Sequence, residues 1–263
     1  MSFKKLILSN GILLLLFALS GCTKDDNSTN NQSSANPFLV KEYTIFKGNT
    51  LSELEISEKV DFKYNSQGQV TSLTRYLYQS GTLMSSLEKD YAYNGKIILE
   101  NDYINSKGTK THVMKSFLTT NNLNHVVYDS SIEVTNPSSR WVRLYIYDNN
   151  SKLKYSYIDD TMRGSVFEWN GNNLTHEYLI NGLMGRFLIM THTYGNKKNT
   201  INTGNFWNDG EKSENLPEKS VEPNYEYNYT YKIESDGFVS EKITAVSSPG
   251  GTPYRYELIV YTR

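Results

Sequence analysis

The sequence has little of several residue types, and each shortage excludes a class of protein. It contains a single cysteine, Cys22, so no disulfide can form within the chain. It has only four alanines, and no segment combines a sustained helical period with a cap, which excludes a helical fold. The 27 basic and 28 acidic side chains nearly balance and form no basic stripe, so we do not expect nucleic acid as a partner.

Aromatic residues and turn signals are abundant instead. The chain has 21 tyrosines and 10 phenylalanines, and Asn-Gly, Ser-Gly and Asp-Gly pairs recur along it. Strands joined by such tight turns pair as antiparallel neighbours. We therefore predict an all-β fold, a single curved or rolled antiparallel β-sheet meander built from repeated hairpins.

The stretch 60–70 shows the hairpin unit most clearly. Val60, Phe62 and Tyr64 alternate with polar residues, which predicts a half-buried strand, and the residues at 65–68 tolerate the left-handed backbone of a tight turn. A tyrosine-rich meander could also give similar matches by chance. Looser copies are anchored at residues 93, 119, 147, 169, 194 and 231.

The first residues, 1–21, are predicted to be a lipoprotein signal peptide. A basic pair precedes an apolar run over 12–19, and Leu-Ser-Gly-Cys at 19–22 resembles a bacterial lipobox. We therefore expect Cys22 to carry lipid and to anchor the protein in a membrane. A single-span anchor is the alternative, but the apolar stretch is shorter than the ~20 residues that a span needs.

The residues after the cysteine predict an export signal and a tether. Lys24, Asp25 and Asp26 resemble the signal that sends lipoproteins of Bacteroidota to the cell surface, although acidic residues at these positions also occur in periplasmic lipoproteins. Residues 22–36 contain no large apolar side chain and should form a flexible tether. One β domain is expected over 37–263, with an irregular loop over 203–224 that is either functional or disordered.

The pattern resembles a known family. Residues 39–43 and 60–70, with a tail over 229–261, resemble a group of Bacteroidota lipoproteins of unknown function that carry Tyr-Asp-x-x-Gly, or RHS/YD-like, hairpin repeats. Only Tyr147 and Asp148 keep the literal Tyr-Asp pair. The chain lacks the toxin-like C-terminal segment of RHS shells. The resemblance implies a curved or rolled antiparallel sheet without an assigned activity.

No catalytic, metal or cofactor site is predicted. The paired carboxylates, Asp159 with Asp160 and Glu100 with Asp102, are expected in solvated turns, whereas a glycosidase needs two acids held across a sugar. The histidines lack ligand spacing and are expected at scattered surface positions. They are His112, His125, His176 and His192.

Aromatic side chains remain as candidates for ligand binding. Trp141, Trp169 and Trp207 could stack on sugar rings, and the alternating tyrosines over 225–231 could do the same or form cross-strand pairs. Thr161 follows an acid in a short pattern that resembles an O-glycosylation site of Bacteroidota.

These observations favour a lipid-anchored cell-envelope protein at the outer membrane, a non-enzymatic β scaffold that presents a binding or contact surface. Its expected partners are the membrane, through the N-terminal lipid, and a glycan or an envelope protein. The alternative is a glycan-binding accessory protein of polysaccharide uptake. A glycoside hydrolase is a weaker third interpretation.

Overall fold

A computed structural model describes residues 39–158, 163–181, 185–201 and 213–263. These residues form sixteen strands in chain order. The strands are β1 (Glu42–Gly48), β2 (Glu55–Tyr64), β3 (Val70–Gln79), β4 (Thr82–Asn94), β5 (Ile97–Ser106), β6 (Thr109–Thr120), β7 (Val126–Glu133), β8 (Arg140–Tyr147), β9 (Leu153–Ile158), β10 (Arg163–Asn170), β11 (Asn173–Asn181), β12 (Arg186–Lys198), β13 (Asn215–Val221), β14 (Glu226–Ile233), β15 (Val239–Ser247) and β16 (Arg255–Thr262).

The sheet closes into a barrel. Each strand pairs antiparallel with its neighbours in sequence, and β1 also pairs with β16, from Glu42 opposite Thr262 to Gly48 opposite Tyr256. The predicted single curved or rolled meander is therefore wrong, because the first and last strands join instead of remaining free edges. Closure removes both edges, whereas the hairpin pattern of the sequence is the same in an open sheet and in a barrel.

Part of the segment predicted to be irregular is a strand. Within 203–224, residues Asn215–Val221 form β13, which pairs with β12 and β14. Pro217 lies opposite Tyr194, where the register shifts, so the missing amide hydrogen falls at an irregular part of the ladder. The positions 203–212 lie outside the described residues.

Strand β2 shows how the wall separates its two faces. Val60 and Phe62 are buried inside the barrel, whereas Lys63 is exposed on the outer face with Lys59 and Asp61. This alternation is the period of a strand with one packed face. It confirms the register predicted for this strand.

Charged pairs occupy much of the outer face. The nitrogen–oxygen distances are 2.7 to 2.9 Å. The partners lie on neighbouring strands, except that Lys110 on β6 reaches across β5 to Glu88 on β4. Other parts of the outer face expose apolar side chains, which include Ile97, Phe117 and Ile146. The charged pairs are Lys59 with Glu42, Lys110 with Glu88, Lys219 with Glu226 and Lys232 with Glu241.

The hydrophobic core fills the barrel at the end where β1 begins and β16 ends, which we call the terminal end. Its buried members come from strands around the wall and from turns at this end. Tyrosines such as Tyr64 and Tyr147 pack against them. The buried members are Val40, Val60, Phe62, Val70, Tyr91, Ile98, Leu118, Val126, Tyr145, Leu153 and Phe238.

Several turns at the terminal end share one geometry. In the turn after β2, the Asn65 amide donates to the Gln69 carbonyl, and the Gly68 amide donates to the Asn65 carbonyl at 3.0 Å. The Asn65 side-chain oxygen also accepts hydrogen bonds from the amides of Gln67 and Gln69. The fourth turn residue has positive φ in each case, at Gly68, Asn124, Ser151 and Gly237. The same backbone bonds recur in the turns that begin at Asn121, Asp148 and Glu234.

A second recurring contact ties each of several strands to the start of the strand before it. The Tyr64 hydroxyl donates to the Val40 carbonyl at 2.5 Å, and the Tyr93 hydroxyl donates to the Val70 carbonyl at 2.7 Å. Because the acceptors lie at the terminal end, these bonds fix the core aromatics there. Equivalent bonds join Tyr147 to Val126, Trp169 to Leu153 and Tyr231 to Pro217.

Candidate ligand-binding cavity inside the barrel

Charged side chains line the inner wall on β2 to β5. Glu58 accepts from Arg75 at 2.5 Å, and Lys89 contacts both Glu100 and Asp102 at 2.9 Å. Each of these side chains points inward because strand alternation places it on the same face as the core residues. The prediction that Glu100 and Asp102 lie in a solvated turn is therefore wrong.

These inner charges compensate one another. Burial raises the pKa of Glu100 above its ordinary value, and the nearby Lys89 ammonium acts in the opposite direction. Burial and the Glu58 carboxylate raise the pKa of Tyr43 to about 12. A cavity of about 340 Å³ adjoins this group, with Arg75 and Lys89 in its lining.

A larger cavity, of about 490 Å³, lies against β9 to β15. Its volume falls in the range of protein pockets that hold small molecules. Apolar and aromatic side chains make up part of its lining, and polar groups from separate strands converge on it. The lining includes Phe167, Trp169, Glu177, His192, Tyr229 and Lys242.

A hydrogen-bonded chain crosses one wall of this cavity. His192 Nε2 lies 2.9 Å from Glu177 Oε1, and His192 Nδ1 lies 2.7 Å from Ser220 Oγ. Both imidazole nitrogens therefore have partners, which fixes the ring orientation. The three residues lie on β11, β12 and β13, so pairing of these strands brings the group together.

Lys242 supplies the cation of the cavity. It lies on β15 opposite Tyr231, and its Nζ is 4.5 Å from the centroid of the Tyr229 ring. Burial lowers the pKa of Lys242, and the Glu257 carboxylate only partly offsets this effect. Within the described ranges Lys242 forms no salt bridge.

The structure brings one predicted tryptophan into the cavity. Trp169 lines it, and its indole nitrogen donates to the Leu153 carbonyl at 2.9 Å. Trp141 is 47% exposed at the start of β8, away from the terminal end, so the two rings form no common row. Tyr227, Tyr229 and Tyr231 alternate along β14 as predicted. The remaining predicted positions lie outside the described residues: Cys22, Lys24, Asp25, Asp26, Asp159, Asp160, Thr161 and Trp207.

The sequence did not indicate the polar members of the cavity. Glu177, His192 and Lys242 lie on three strands and share no local motif. The expectation of a surface position is wrong for His192, whose side chain is only 11% exposed. Its alternation with the half-buried Tyr194 was the signal that it faces inward.

The described ranges contain neither a group of metal ligands nor a helix that could span a membrane. No three His, Cys, Asp or Glu side chains among these residues come together in a way that could hold a metal ion. In the same part of the chain, no helix is long and apolar enough to cross a membrane.

Comparison with known proteins supports the barrel fold. No family model and no curated protein matches the chain. It is similar to a porin-like protein from Bacteroides uniformis, with a TM-score of 0.61 and 15% identity over 85% of this chain and 96% of that chain. A porin-like protein from Bacteroides vulgatus is 11% identical over 86% of this chain and 98% of that chain, with a TM-score of 0.29, which carries no argument. At this identity, the first similarity concerns the fold alone.

Proposed function

We propose that this protein is a non-enzymatic cell-envelope lipoprotein of the outer membrane, in which a lipid at Cys22 holds a barrel that stands in water and binds a ligand inside. The observation that carries the proposal is the distribution of polar groups over the wall. Charged pairs cover much of the outer face, and a cavity with converging polar groups lies inside.

The outer charges argue against burial of the whole wall in lipid. A barrel that spans a membrane presents an apolar band about 25 Å tall, and one Lys or Arg at its middle costs about 2–4 kcal/mol. Here Lys59, Lys219 and Lys232 lie within strands on the outer face, each with an acidic partner. A barrel with this surface needs a separate anchor to stay at the membrane, and Cys22 would supply it.

The arrangement of the inner groups supports a binding role over catalysis. Ser220, His192 and Glu177 have the residue types of a nucleophilic triad, but Ser220 is fully buried, at 0% exposure. Although Ser220 belongs to the cavity lining, its hydroxyl is paired with His192 Nδ1 and is not exposed for attack on a substrate. Glu100 and Asp102 share the Lys89 ammonium instead of facing each other across an open cleft.

A glycan is the ligand class that the cavity favours. Trp169 lines the cavity beside carboxylate and imidazole groups, which is the combination of flat ring and polar partners that suits a sugar. This supports the role of a glycan-binding accessory protein of polysaccharide uptake. The proposal has two further parts. The protein belongs to the YD-like lipoprotein family, and it is exported to the cell surface through the signal at Lys24, Asp25 and Asp26.

Labelling with a radioactive or clickable fatty acid tests the anchor. The natural chain should incorporate the label, and Cys22→Ser should not. Incorporation in the Cys22→Ser chain would contradict lipidation at this cysteine.

Protease added to intact cells tests the export signal separately. It should digest the natural chain but spare a variant in which Lys24, Asp25 and Asp26 are replaced by Ala. Equal digestion would contradict the role of these residues and leave the anchor standing.

A further inference from the structure

Lys242 differs from Arg75 and Lys89, two cations of the inner wall that form salt bridges. Lys89 contacts Glu100 and Asp102, and Arg75 contacts Glu58, whereas Lys242 forms no salt bridge in the ranges described. Its Nζ lies over the face of the Tyr229 ring, 4.5 Å from the ring centroid. The Glu257 carboxylate offsets the cost of burying this charge only in part, so an anion from outside the chain can compensate it further.

The same cavity also offers a hydrogen-bond acceptor. Glu177 uses Oε1 for the contact with His192 at 2.9 Å, and among the described residues Oε2 makes no hydrogen bond. A carboxylate accepts several hydrogen bonds, so this oxygen can accept from a ligand hydroxyl. The cavity therefore presents a cation and a hydrogen-bond acceptor as separate groups.

Aromatic rings also line this cavity. The hydrogen bond to Leu153 holds the Trp169 indole in place, and Phe167 and Tyr229 also line the cavity. A flat ring contacts the C–H face of a pyranose over a large area, and a ring held in advance loses little conformational entropy on binding.

We propose that this cavity binds an acidic pyranose, a hexuronic acid unit, whose carboxylate contacts Lys242, whose ring packs on Trp169 and whose hydroxyl donates to Glu177. This inference rests on the proposed function, ligand binding inside the barrel, and names the class of that ligand. A neutral sugar leaves Lys242 without an anion. A simple aliphatic acid leaves Glu177 without a donor and does not use the flat indole.

Titration calorimetry with two methyl glycosides, methyl glucuronide with a free carboxylate and methyl glucoside, tests the inference. The probes differ only at C6, which is a carboxylate in the glucuronide and a hydroxymethyl group in the glucoside. The natural chain should bind the glucuronide about tenfold or more tightly than the glucoside, as expected for one charge-assisted contact. Lys242→Met should abolish this preference, and Lys242→Arg should keep it. The matched control is Lys232→Met on the outer face, which should leave the preference unchanged.

The outcomes separate this inference from the broader proposal. Equal binding of the two probes, or a preference that survives in Lys242→Met, would overturn the acidic ligand. The luminal site would then still stand if Trp169→Phe weakened both probes. Failure of both probes to bind would overturn the inference, while fatty-acid labelling at Cys22 would still decide the anchor.

Discussion

The hydroxyl of Tyr64 donates a 2.5 Å hydrogen bond to the backbone carbonyl of Val40, across the hairpin formed by β1 and β2. Val40 is fully buried, and the Tyr64 ring stacks on Phe62 at a centroid distance of 6.1 Å. One side chain therefore fills the core and satisfies a buried carbonyl at the same time. Because the same contact recurs at four other places, we infer that it stabilises the terminal end of the barrel.

The first prediction separates these two contributions. Tyr64→Phe keeps the ring but removes the donor, so it should lower the free energy of unfolding by about 1 kcal/mol. Tyr64→Ala also removes the ring and should lower it by about 3 kcal/mol or more. Urea denaturation measures both.

Tyr103→Phe is the matched control, since the Tyr103 hydroxyl makes no hydrogen bond within the described residues and its ring lies beside Lys110 on the outer face. It should change the unfolding free energy by less than about 0.5 kcal/mol. An effect of Tyr103→Phe as large as that of Tyr64→Phe would contradict the importance of the buried carbonyl contact.

The second prediction concerns the turn after β2. Gly68 has φ of +75°, and nothing lies within 4 Å of the position that a Cβ would occupy. Gly68→Ala should therefore cost about 1 kcal/mol through backbone strain and not through a steric clash. Asn65→Ala should cost a similar amount, because it removes the acceptor of two backbone amides.

Gln67→Ala changes an exposed residue of the same turn and provides the control. It should leave the midpoint of denaturation nearly unchanged. A loss of stability in Gln67→Ala equal to that in Gly68→Ala would show that the turn is sensitive to any substitution.

The third prediction is the pH dependence of Lys242. Burial lowers its pKa in the folded barrel below its ordinary value of 10.5, so the unfolded chain binds more protons between the two values. The contribution of Lys242 to the free energy of unfolding therefore rises with pH across that interval. Lys242→Met should be more stable than the natural chain at neutral pH, by about 1 kcal/mol, and this advantage should shrink as pH approaches 10.5.

The difference in unfolding free energy between Lys242→Met and the natural chain separates the contribution of Lys242 from those of the groups around it. The neighbouring groups are present in both proteins: Tyr229 and Tyr231 of β14, Glu257 of β16 and the Glu177–His192 pair. Lys232→Met, on the outer face next to Glu241, should show no such gain at neutral pH, because the partner raises the pKa of Lys232. A gain for Lys242→Met that stays constant from neutral pH to 10.5 would contradict the lowered pKa.

Local features of the fold could be predicted from the sequence. The alternation of Val60, Phe62 and Tyr64 gave the inner face of β2, and the residues at 65–68 gave the turn with positive φ. Both depend on neighbouring residues, which a single sequence contains. Pro217 misled the prediction at β13, because a proline is tolerated where strand pairing is irregular.

Long-range features could not be predicted in the same way. Pairing of Tyr43 with Tyr261 closes the barrel, and no local pattern distinguishes such a pair from two residues on free edges. The cavity also depends on contacts between strands: Glu177 and His192 meet through the pairing of β11 with β12, and Lys242 lies three strands farther along the sheet, on β15. Trp169 was a candidate because of its residue type alone; the structure places it in the cavity lining, and its contact with a ligand stays a prediction.

The last measurement asks directly whether the barrel stands in water or spans the membrane. A variant in which an ordinary cleavable secretion signal replaces residues 1–22 lacks the lipidation site and keeps every strand. After cell lysis without detergent, ultracentrifugation separates soluble protein from membranes. Our account predicts that this variant remains in the supernatant as a folded barrel, while the natural chain sediments with the membranes. Sedimentation of the variant with the membranes, with release only by detergent, would contradict it.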